Sequence, residues 1–249
     1  MKKIIKYVLI SVIAVVLIAF GGFYIWSEQT YKPTEQLHAL VNEKEWKTKD
    51  GFVTVEPDKS NGTGIILYPG AKVEPEAYAY YAKQLAAEGY TVMVAEVAFH
   101  FALLDMNKAA DAKKLFPQMK HWYIGGHSLG GVAAASYAYK HQDEVEGIIF
   151  LGSYPSNSSD FAKIDMPILS LYAEYDGLST VEKIKGTKHL LSKETTMHEI
   201  KGGNHAQFGM YGKQKGDKEA KISASEQQRE MAMTTKKWLD DLEKKKRER

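Results

Sequence analysis

The residues best suited to chemistry in this 249-residue chain begin with Ser128, in the run Gly126-His127-Ser128-Leu129-Gly130. An apolar stretch over residues 122–124 precedes this run, and small residues with helical spacing follow it. In that context the pattern G-x-S-x-G predicts a sharp strand-to-helix turn, where a strained serine needs neighbours with almost no side chain. The turn exposes the serine hydroxyl at the positive end of a helix, as suits a nucleophile. A glycine-rich loop with an incidental serine is the alternative interpretation.

An acidic residue that could orient a histidine follows a predicted strand over residues 168–172. Two carboxylates are available there, Glu174 and Asp176. Asp176 is the preferred candidate because it lies beside Gly177, where the chain can turn toward a site, and Glu174 remains the alternative. Such a carboxylate would hold a catalytic histidine in one tautomer and stabilise the charge that forms on it.

The histidine that best fits this chemistry is His205, in a glycine-rich loop after the last predicted strand. The order serine, aspartate, histidine along the chain agrees with a nucleophile on such a turn. His100 is the main alternative base, and His127 is expected to pack beside the turn. Four residues are candidates for lining a substrate pocket: Phe99, His100, Phe101 and Tyr154.

Backbone amides that could stabilise an oxyanion are expected at two turns. A Pro-Gly turn follows the predicted strand over residues 65–68, and its glycine lets an amide point into the site. The N–H of Ala71, together with that of Leu129 after the serine, is the candidate pair. Gly70 and Lys72 stay open as alternatives to Ala71.

The elements that must position these residues alternate between short apolar strands and helices. Strands are predicted over residues 52–55, 65–68, 92–95, 122–125, 148–151, 168–172 and 195–200. Helices are predicted over residues 75–88, 105–116, 129–140, 181–192 and 223–242. This pattern predicts a mostly parallel, doubly wound sheet with helices on both faces, an α/β fold. Functional groups then gather beyond the carboxyl ends of the strands.

Composition narrows the function further. Without Lys2, Lys3 and Lys6, the formal net charge of +2 becomes −1, so the rest of the chain has no basic footprint for nucleic acid. The chain has no cysteine, which excludes disulfides, thiolate metal sites and a cysteine nucleophile. No histidine spacing typical of a metal site is present, so neither a metal nor a cofactor is predicted.

The N-terminal segment predicts a membrane anchor. Residues 7–27 carry no charge, and about 20 such residues cross the hydrocarbon core of a bilayer. Lysines precede the stretch, and Phe23, Tyr24 and Trp26 end it, where aromatic rings favour the headgroup layer. We therefore expect an uncleaved, single-pass signal anchor over residues 1–27, with a cytoplasmic N-terminus and the rest of the chain outside the cytoplasm. Cleavage and secretion are the alternative.

The remaining organisation is simple. Residues 28–50 are polar and predict a spacer with a short helix around residues 34–42. Residues 51–242 predict one catalytic domain, and residues 243–249 a charged tail.

Residues 52–242 resemble the α/β-hydrolase fold family. The resemblance rests on the motif around Ser128, the turn before Ala71, Asp176 after a late strand and His205 after the last one. The chain is most similar to small, lid-poor hydrolases related to dienelactone hydrolases. Those enzymes characteristically use a cysteine nucleophile, whereas this chain has Ser128.

The resemblance and the anchor together imply a membrane-anchored, extracytoplasmic serine hydrolase. We expect Ser128, His205 and Asp176 to hydrolyse a small-molecule ester or related acyl compound through an acyl-enzyme, with no cofactor. The expected partners are this substrate and the lipid bilayer. An acyltransferase with the same triad and a non-catalytic binding protein on a hydrolase scaffold are the alternatives.

Overall fold

An eight-stranded, mostly parallel sheet forms the centre of the protein. The computed structural model describes residues 2–248, without the side chain of Lys2; Met1 and Arg249, the outer ends of the predicted anchor and tail, lie outside the described residues. The strands are β1 (Lys47–Lys49), β2 (Phe52–Val55), β3 (Thr63–Tyr68), β4 (Thr91–Ala95), β5 (His121–His127), β6 (Ile148–Leu151), β7 (Ile168–Ala173) and β8 (Thr195–Ile200). Their order is β1-β2-β4-β3-β5-β6-β7-β8. Only the pairs β1–β2 and β2–β4 are antiparallel.

Helices cover both faces of this sheet. They are α1 (Lys2–Ser27), α2 (Glu35–Leu40), α3 (Ala79–Ala86), α4 (Lys108–Leu115), α5 (Leu129–Lys140), α6 (Val181–Gly186) and α7 (Ala224–Arg247). Helices α3 and α7 share one buried cluster with Ile65 and Leu67 of β3. Helices α4 and α5 share the other cluster with Ile66 and Tyr68. Successive strand residues point to opposite faces, so an apolar run without alternation is what a sheet covered on both sides requires.

The predicted strands are all present, and the largest differences concern two helices. The helix predicted over residues 75–88 is a 3-10 turn, Pro75–Tyr78, followed by α3. The helix predicted over residues 181–192 ends at Gly186, and a 3-10 turn, Lys188–Leu190, follows it. Glycine is a poor helix former, and the Thr187 hydroxyl bonds the Ile184 carbonyl oxygen at 2.9 Å, which favours termination there.

The segment predicted as a polar spacer packs onto the sheet domain. Leu37 of α2 and Val41, the residue directly after this helix, are both buried. Tyr31 donates its amide hydrogen to the Lys72 carbonyl oxygen, and β1 adds an edge strand beside β2. The mostly polar composition of this segment predicts a spacer. Two well-spaced apolar side chains nevertheless suffice to dock a short helix on the domain.

Helix α1 stands apart from the sheet and exposes its apolar side chains along its length. Among residues 2–248, one helical stretch is long and apolar enough to cross a membrane, and it is the part of α1 over Lys3–Ser27. Its 25 residues span about 37 Å, which exceeds the ~30 Å hydrocarbon core of a bilayer. A signal sequence meets the same criteria.

Candidate active site

Ser128 lies at a strained turn between β5 and α5. Its φ of 52° and ψ of −121° are rare for a residue with a side chain. The turn needs the flanking glycines, because a Cβ on Gly126 would collide with the backbone of Gly130. A Cβ on Gly130 would collide in turn with the carbonyl oxygen of Tyr68. The motif therefore produces the sharp turn for steric reasons.

Asp176 and His205 form a buried, hydrogen-bonded pair. His205 Nδ1 lies 2.7 Å from Asp176 Oδ2, and both side chains are fully buried. The other oxygen, Oδ1, accepts hydrogen bonds from the amides of Leu178 and Ser179 at 2.8 and 2.6 Å. A carboxylate that only accepts requires the hydrogen on His205 Nδ1, so Nε2 is left with its lone pair. In the described part of the chain, Nε2 has no hydrogen-bond partner.

The alternative residues considered for these positions lie elsewhere. Glu174 is exposed, and its Oε2 accepts from the Gly202 amide at 3.0 Å, which closes the loop before His205. His100 lies beside the end of α1, with Nε2 3.7 Å from a Glu28 carboxylate oxygen. Neither residue belongs to the buried pair.

The His127 ring packs beside that of His205 and is turned toward Tyr78. Its Nδ1 lies 2.9 Å from the Tyr78 hydroxyl, which also accepts from the Gly70 amide at 2.9 Å. Because that hydroxyl accepts from Gly70, its own hydrogen is free to point at His127 Nδ1. Burial raises the pKa of the Tyr78 phenol, so this hydrogen is retained. Burial, and secondly the proximity of His205, hold the pKa of His127 well below its usual value.

Three amides were candidates at the turn after β3, and two of them are occupied. The Gly70 amide donates to Tyr78, and the Lys72 amide donates to the His100 carbonyl oxygen at 2.9 Å. Among the described residues, the Ala71 amide has no acceptor. Leu129 is the first residue of α5, and its amide hydrogen has no acceptor within the helix. Gly130 lies so close to the Tyr68 carbonyl oxygen that an added Cβ would collide with it, so these two turns are adjacent.

The predicted pocket residues separate into two places. Phe99, His100 and Phe101 lie in the segment after β4, where both phenylalanine rings pack against α1. Tyr154 follows β6, in a different segment, and is half-buried. The structure therefore groups three of the four candidates beside the membrane-type helix.

Two residues around the site were not predicted from the sequence. The Ser153 hydroxyl donates to the Ser128 carbonyl oxygen at 2.6 Å; its position directly after β6 and Gly152 was the available signal. Asp217 accepts from the Gly177 amide at 2.9 Å and from the Ala206 amide at 2.8 Å. Asp217 thus joins the loops that carry Asp176 and His205, and no local pattern marks a residue in an irregular segment as such a bridge.

Helix α7 is hydrogen-bonded to the loop that carries His205. The buried Gln227 side chain accepts from the Asn204 amide at 3.0 Å and donates to the Asn204 carbonyl oxygen at 2.9 Å. This two-point contact fixes the backbone immediately before His205. Over residues 2–248, no three histidine or carboxylate side chains lie together as metal ligands would.

Comparison with known proteins establishes the family. A sequence profile described as the alpha/beta hydrolase family matches residues 64–229, which include Ser128, Asp176 and His205. The chain belongs to this family. The relation to dienelactone hydrolases within it stays a prediction. No curated protein matches the chain.

Solved structures with the same fold include three that each cover most of this chain. Est1E from Butyrivibrio proteoclasticus, bound to ferulic acid, is 13% identical with a TM-score of 0.59, covering 78% of this chain and 99% of its own. The alpha/beta hydrolase MGS-MChE2, from a metagenome of lagoon sediments of Mar Chica in Morocco, is 16% identical with a TM-score of 0.60, covering 80% and 99%. The esterase domain of a Rhodothermus marinus protein is 13% identical with a TM-score of 0.57, covering 75% and 90%. At these identities the similarity concerns the fold.

Proposed function

We propose that this protein is a membrane-anchored serine hydrolase that cleaves carboxylic esters outside the cytoplasm. The observation that carries the proposal is the buried hydrogen bond of 2.7 Å between Asp176 and His205. This pair lies beside His127, the residue that directly precedes the strained Ser128. Burial of a charged carboxylate against a histidine is costly, and a catalytic pair is one of the few arrangements that explains it. The membership of the hydrolase family supports the same chemistry.

The proposed reaction uses each group once per half-cycle. Ser128 Oγ attacks the ester carbonyl carbon while His205 Nε2 takes the hydroxyl proton, and Asp176 stabilises the imidazolium that results. The carbonyl oxygen becomes an oxyanion that accepts from the Ala71 and Leu129 amides, each worth roughly 3–4 kcal/mol of barrier lowering. The intermediate expels the alcohol with the proton from His205. Water then attacks the acyl-serine by the same steps and releases the carboxylic acid.

Neutral His127 supports this cycle. His205 must gain a positive charge in each half-reaction, and a second charged imidazole beside it would oppose that step. The low pKa of His127, caused by its burial, keeps this neighbour uncharged.

Anchoring through α1 completes the proposal. The lysines lie before the apolar stretch and aromatic residues at its other end, which favours a cytoplasmic N-terminus. Expression in bacterial cells, membrane fractionation and an intact mass measurement test it. A membrane-bound protein that retains residues 1–27 supports an anchor, whereas a soluble product that lacks them supports a cleaved signal.

The decisive experiment on the chemistry compares the wild-type protein with Ser128→Ala. The wild type should react with a fluorophosphonate at Ser128 and hydrolyse p-nitrophenyl acetate, and the variant should lose at least about a thousandfold in kcat. Thermal unfolding of both proteins checks that the fold is retained. Undiminished turnover by the variant would refute the mechanism, and ester products with an added alcohol would indicate acyl transfer.

A further inference from the structure

The segment after β4 connects α1 to the candidate active site, and we call residues 98–104 the aromatic loop. The Phe99 ring lies 5.6 Å from that of Phe23 and 6.0 Å from that of Phe20, centroid to centroid. The Phe101 ring stacks on that of Trp26 at 5.5 Å and 25°. The loop and the last turns of α1 thus form one aromatic cluster.

The positions of these contacts along α1 indicate how deep each would lie in a bilayer. Phe20 precedes Trp26 by six residues, which is about 9 Å along a helix axis. Counted from Tyr7, the first residue after the lysines, the ~20 residues that cross a hydrocarbon core end at Trp26. In a bilayer, Trp26 would therefore lie among the headgroups and Phe20 among the acyl chains. Phe99, which contacts Phe20, would reach below the headgroup level.

The aromatic loop also exposes two large apolar side chains. Leu103 is 39% exposed and Leu104 59% exposed. Their neighbour Ala102 is buried against the cluster that includes α5, so the loop is anchored while the leucines face outward. Exposed leucines beside a membrane-type helix fit a hydrocarbon environment better than water.

The same loop contacts the turn that carries the free Ala71 amide. The Lys72 amide donates to the His100 carbonyl oxygen at 2.9 Å, and the Lys72 ammonium lies 4.3 Å from the centroid of the Trp26 ring. The residue after Ala71 is therefore hydrogen-bonded to the aromatic loop, and its ammonium packs on the ring of Trp26 near the end of α1. The turn 102–104 packs against α5, which begins with Leu129.

Backbone strain in the loop points to a constraint other than local preference. Phe99 and His100 have φ values of 53° and 58°, two consecutive left-handed residues without a glycine. Such conformations persist where the surroundings impose them, and they concentrate at ligand and active sites. Here the contacts with α1 and with Lys72 provide the constraint.

From these contacts we propose that the site takes its substrate from the membrane surface, and that this substrate is a lipid carrying an acyl ester. The inference rests on the proposed hydrolase function and names its substrate class. The apolar chain would leave the bilayer along the aromatic loop, while the ester carbonyl, which lies at headgroup depth in a lipid, meets Ser128. Hydrolysis consumes one water; the acyl chain leaves as a fatty acid, and the alcohol leaves with the proton from His205.

The test uses the full chain reconstituted in vesicles of ether-linked phosphatidylcholine, which contains no acyl ester. The vesicles carry monooleoylglycerol as the lipid ester, and p-nitrophenyl acetate in the same sample reports basal turnover. The double variant Leu103→Ser/Leu104→Ser should lower oleate release by about tenfold or more and leave acetate turnover within about twofold. Met233→Ser is the matched control, because Met233 is 65% exposed on α7; it should change neither rate.

A second measurement locates the loop directly. The chain has no cysteine, so Leu104→Cys and Met233→Cys each introduce one site for an environment-sensitive nitrobenzoxadiazole dye. In vesicles, the dye at position 104 should shift its emission to the blue and be quenched by brominated lipid. The dye at position 233 should show neither effect.

The outcomes separate the inference from the function on which it rests. Turnover of p-nitrophenyl acetate without oleate release refutes the lipid ester and leaves the hydrolase intact. Unchanged oleate release by the leucine variant, or a dye at position 104 that remains in water, refutes the membrane route and indicates another occupant of the loop surface, such as a protein. Inactivity on both esters, with no fluorophosphonate labelling of Ser128, refutes the proposed function itself.

Discussion

The imidazole rings of His127 and His205 lie 4.5 Å apart, centroid to centroid, at an angle of 44°. Both rings are buried, and only His205 has a carboxylate partner. His127 instead contacts the Tyr78 hydroxyl, with a pKa held well below the usual value by burial. The residue directly before the proposed nucleophile is therefore a histidine that burial favours in its neutral form, beside the proposed general base His205.

This neutral histidine predicts a pH-dependent stability. In the unfolded chain a histidine takes up a proton below a pKa of about 6.5, whereas folded His127 does so only at lower pH. The unfolded state then binds more protons, so stability is full above pH ~6.5 and falls as the pH falls, by at most roughly 1.4 kcal/mol per pH unit for this group. Denaturant unfolding of the full chain in detergent, from pH 7 to 5, measures it.

The control for this prediction is His127→Gln, which removes the titration but keeps a polar side chain. The variant should show a shallower loss of stability between about pH 6.5 and 5. A pH dependence as steep as that of the wild type would assign the effect to other groups.

Asp176→Asn is expected to lower kcat by about 10⁴-fold with little change in stability. An asparagine can offer its amide hydrogen to His205 Nδ1, which then accepts, so the proton moves to Nε2 and the base is lost. Glu174→Gln is the matched control, because that carboxylate is exposed and accepts a hydrogen bond from the Gly202 amide, away from the buried pair; its kcat should stay within about threefold. Steady-state hydrolysis of p-nitrophenyl acetate measures both. Equal losses in the two variants would contradict the assignment.

Asp217→Asn should lower kcat more than it changes KM. Asp217 accepts from Gly177 with one oxygen and from Ala206 with the other, and an asparagine has only one acceptor oxygen. One of the two loops then loses a charged hydrogen bond worth about 1.5–3 kcal/mol, and the Asp176–His205 alignment loosens. Asp143→Asn, an exposed carboxylate on the surface, is the control. A raised KM with unchanged kcat would show that Asp217 does not position the pair.

Tyr78→Phe should weaken both the fold and the reaction. The Gly70 amide and His127 Nδ1 are buried and share the Tyr78 hydroxyl, so its removal leaves two polar groups without partners, at about 1–3 kcal/mol each. Because Gly70 adjoins Ala71, the turn that carries the proposed oxyanion donor also loses a restraint. Thermal unfolding together with kcat/KM measures the two effects. A variant with wild-type kcat/KM would show that the turn holds its position without Tyr78.

The sheet and its order of elements could be predicted from local pattern. Short apolar runs separated by helical segments require a sheet buried on both faces, and β6, α5 and β8 have the predicted bounds. The turn at Ser128 could also be predicted, because the collision between a Cβ on Gly126 and the backbone of Gly130 is a local steric fact. These features depend on neighbours in the sequence.

The partners around the site could not be chosen in this way. Glu174 and Asp176 stand two residues apart in the sequence, yet only Asp176 reaches His205, because the loop after β7 turns inward at that point. Similarly, Ala71 is the amide left free only because Tyr78 and His100 occupy its two neighbours. Each choice depends on a contact with a distant part of the chain.

The amino-acid sequence alone thus determined the alternation of strands and helices, the strained serine turn and a helix with the length and composition of an anchor. The tertiary structure alone decided that Asp217 bridges two loops and that the segment 28–50 packs on the domain. It also decided that Phe99 and Phe101 lie against α1. The physical reason is that side-chain spacing and local sterics act over a few residues, whereas hydrogen-bond partners and aromatic contacts are assigned only when remote segments meet.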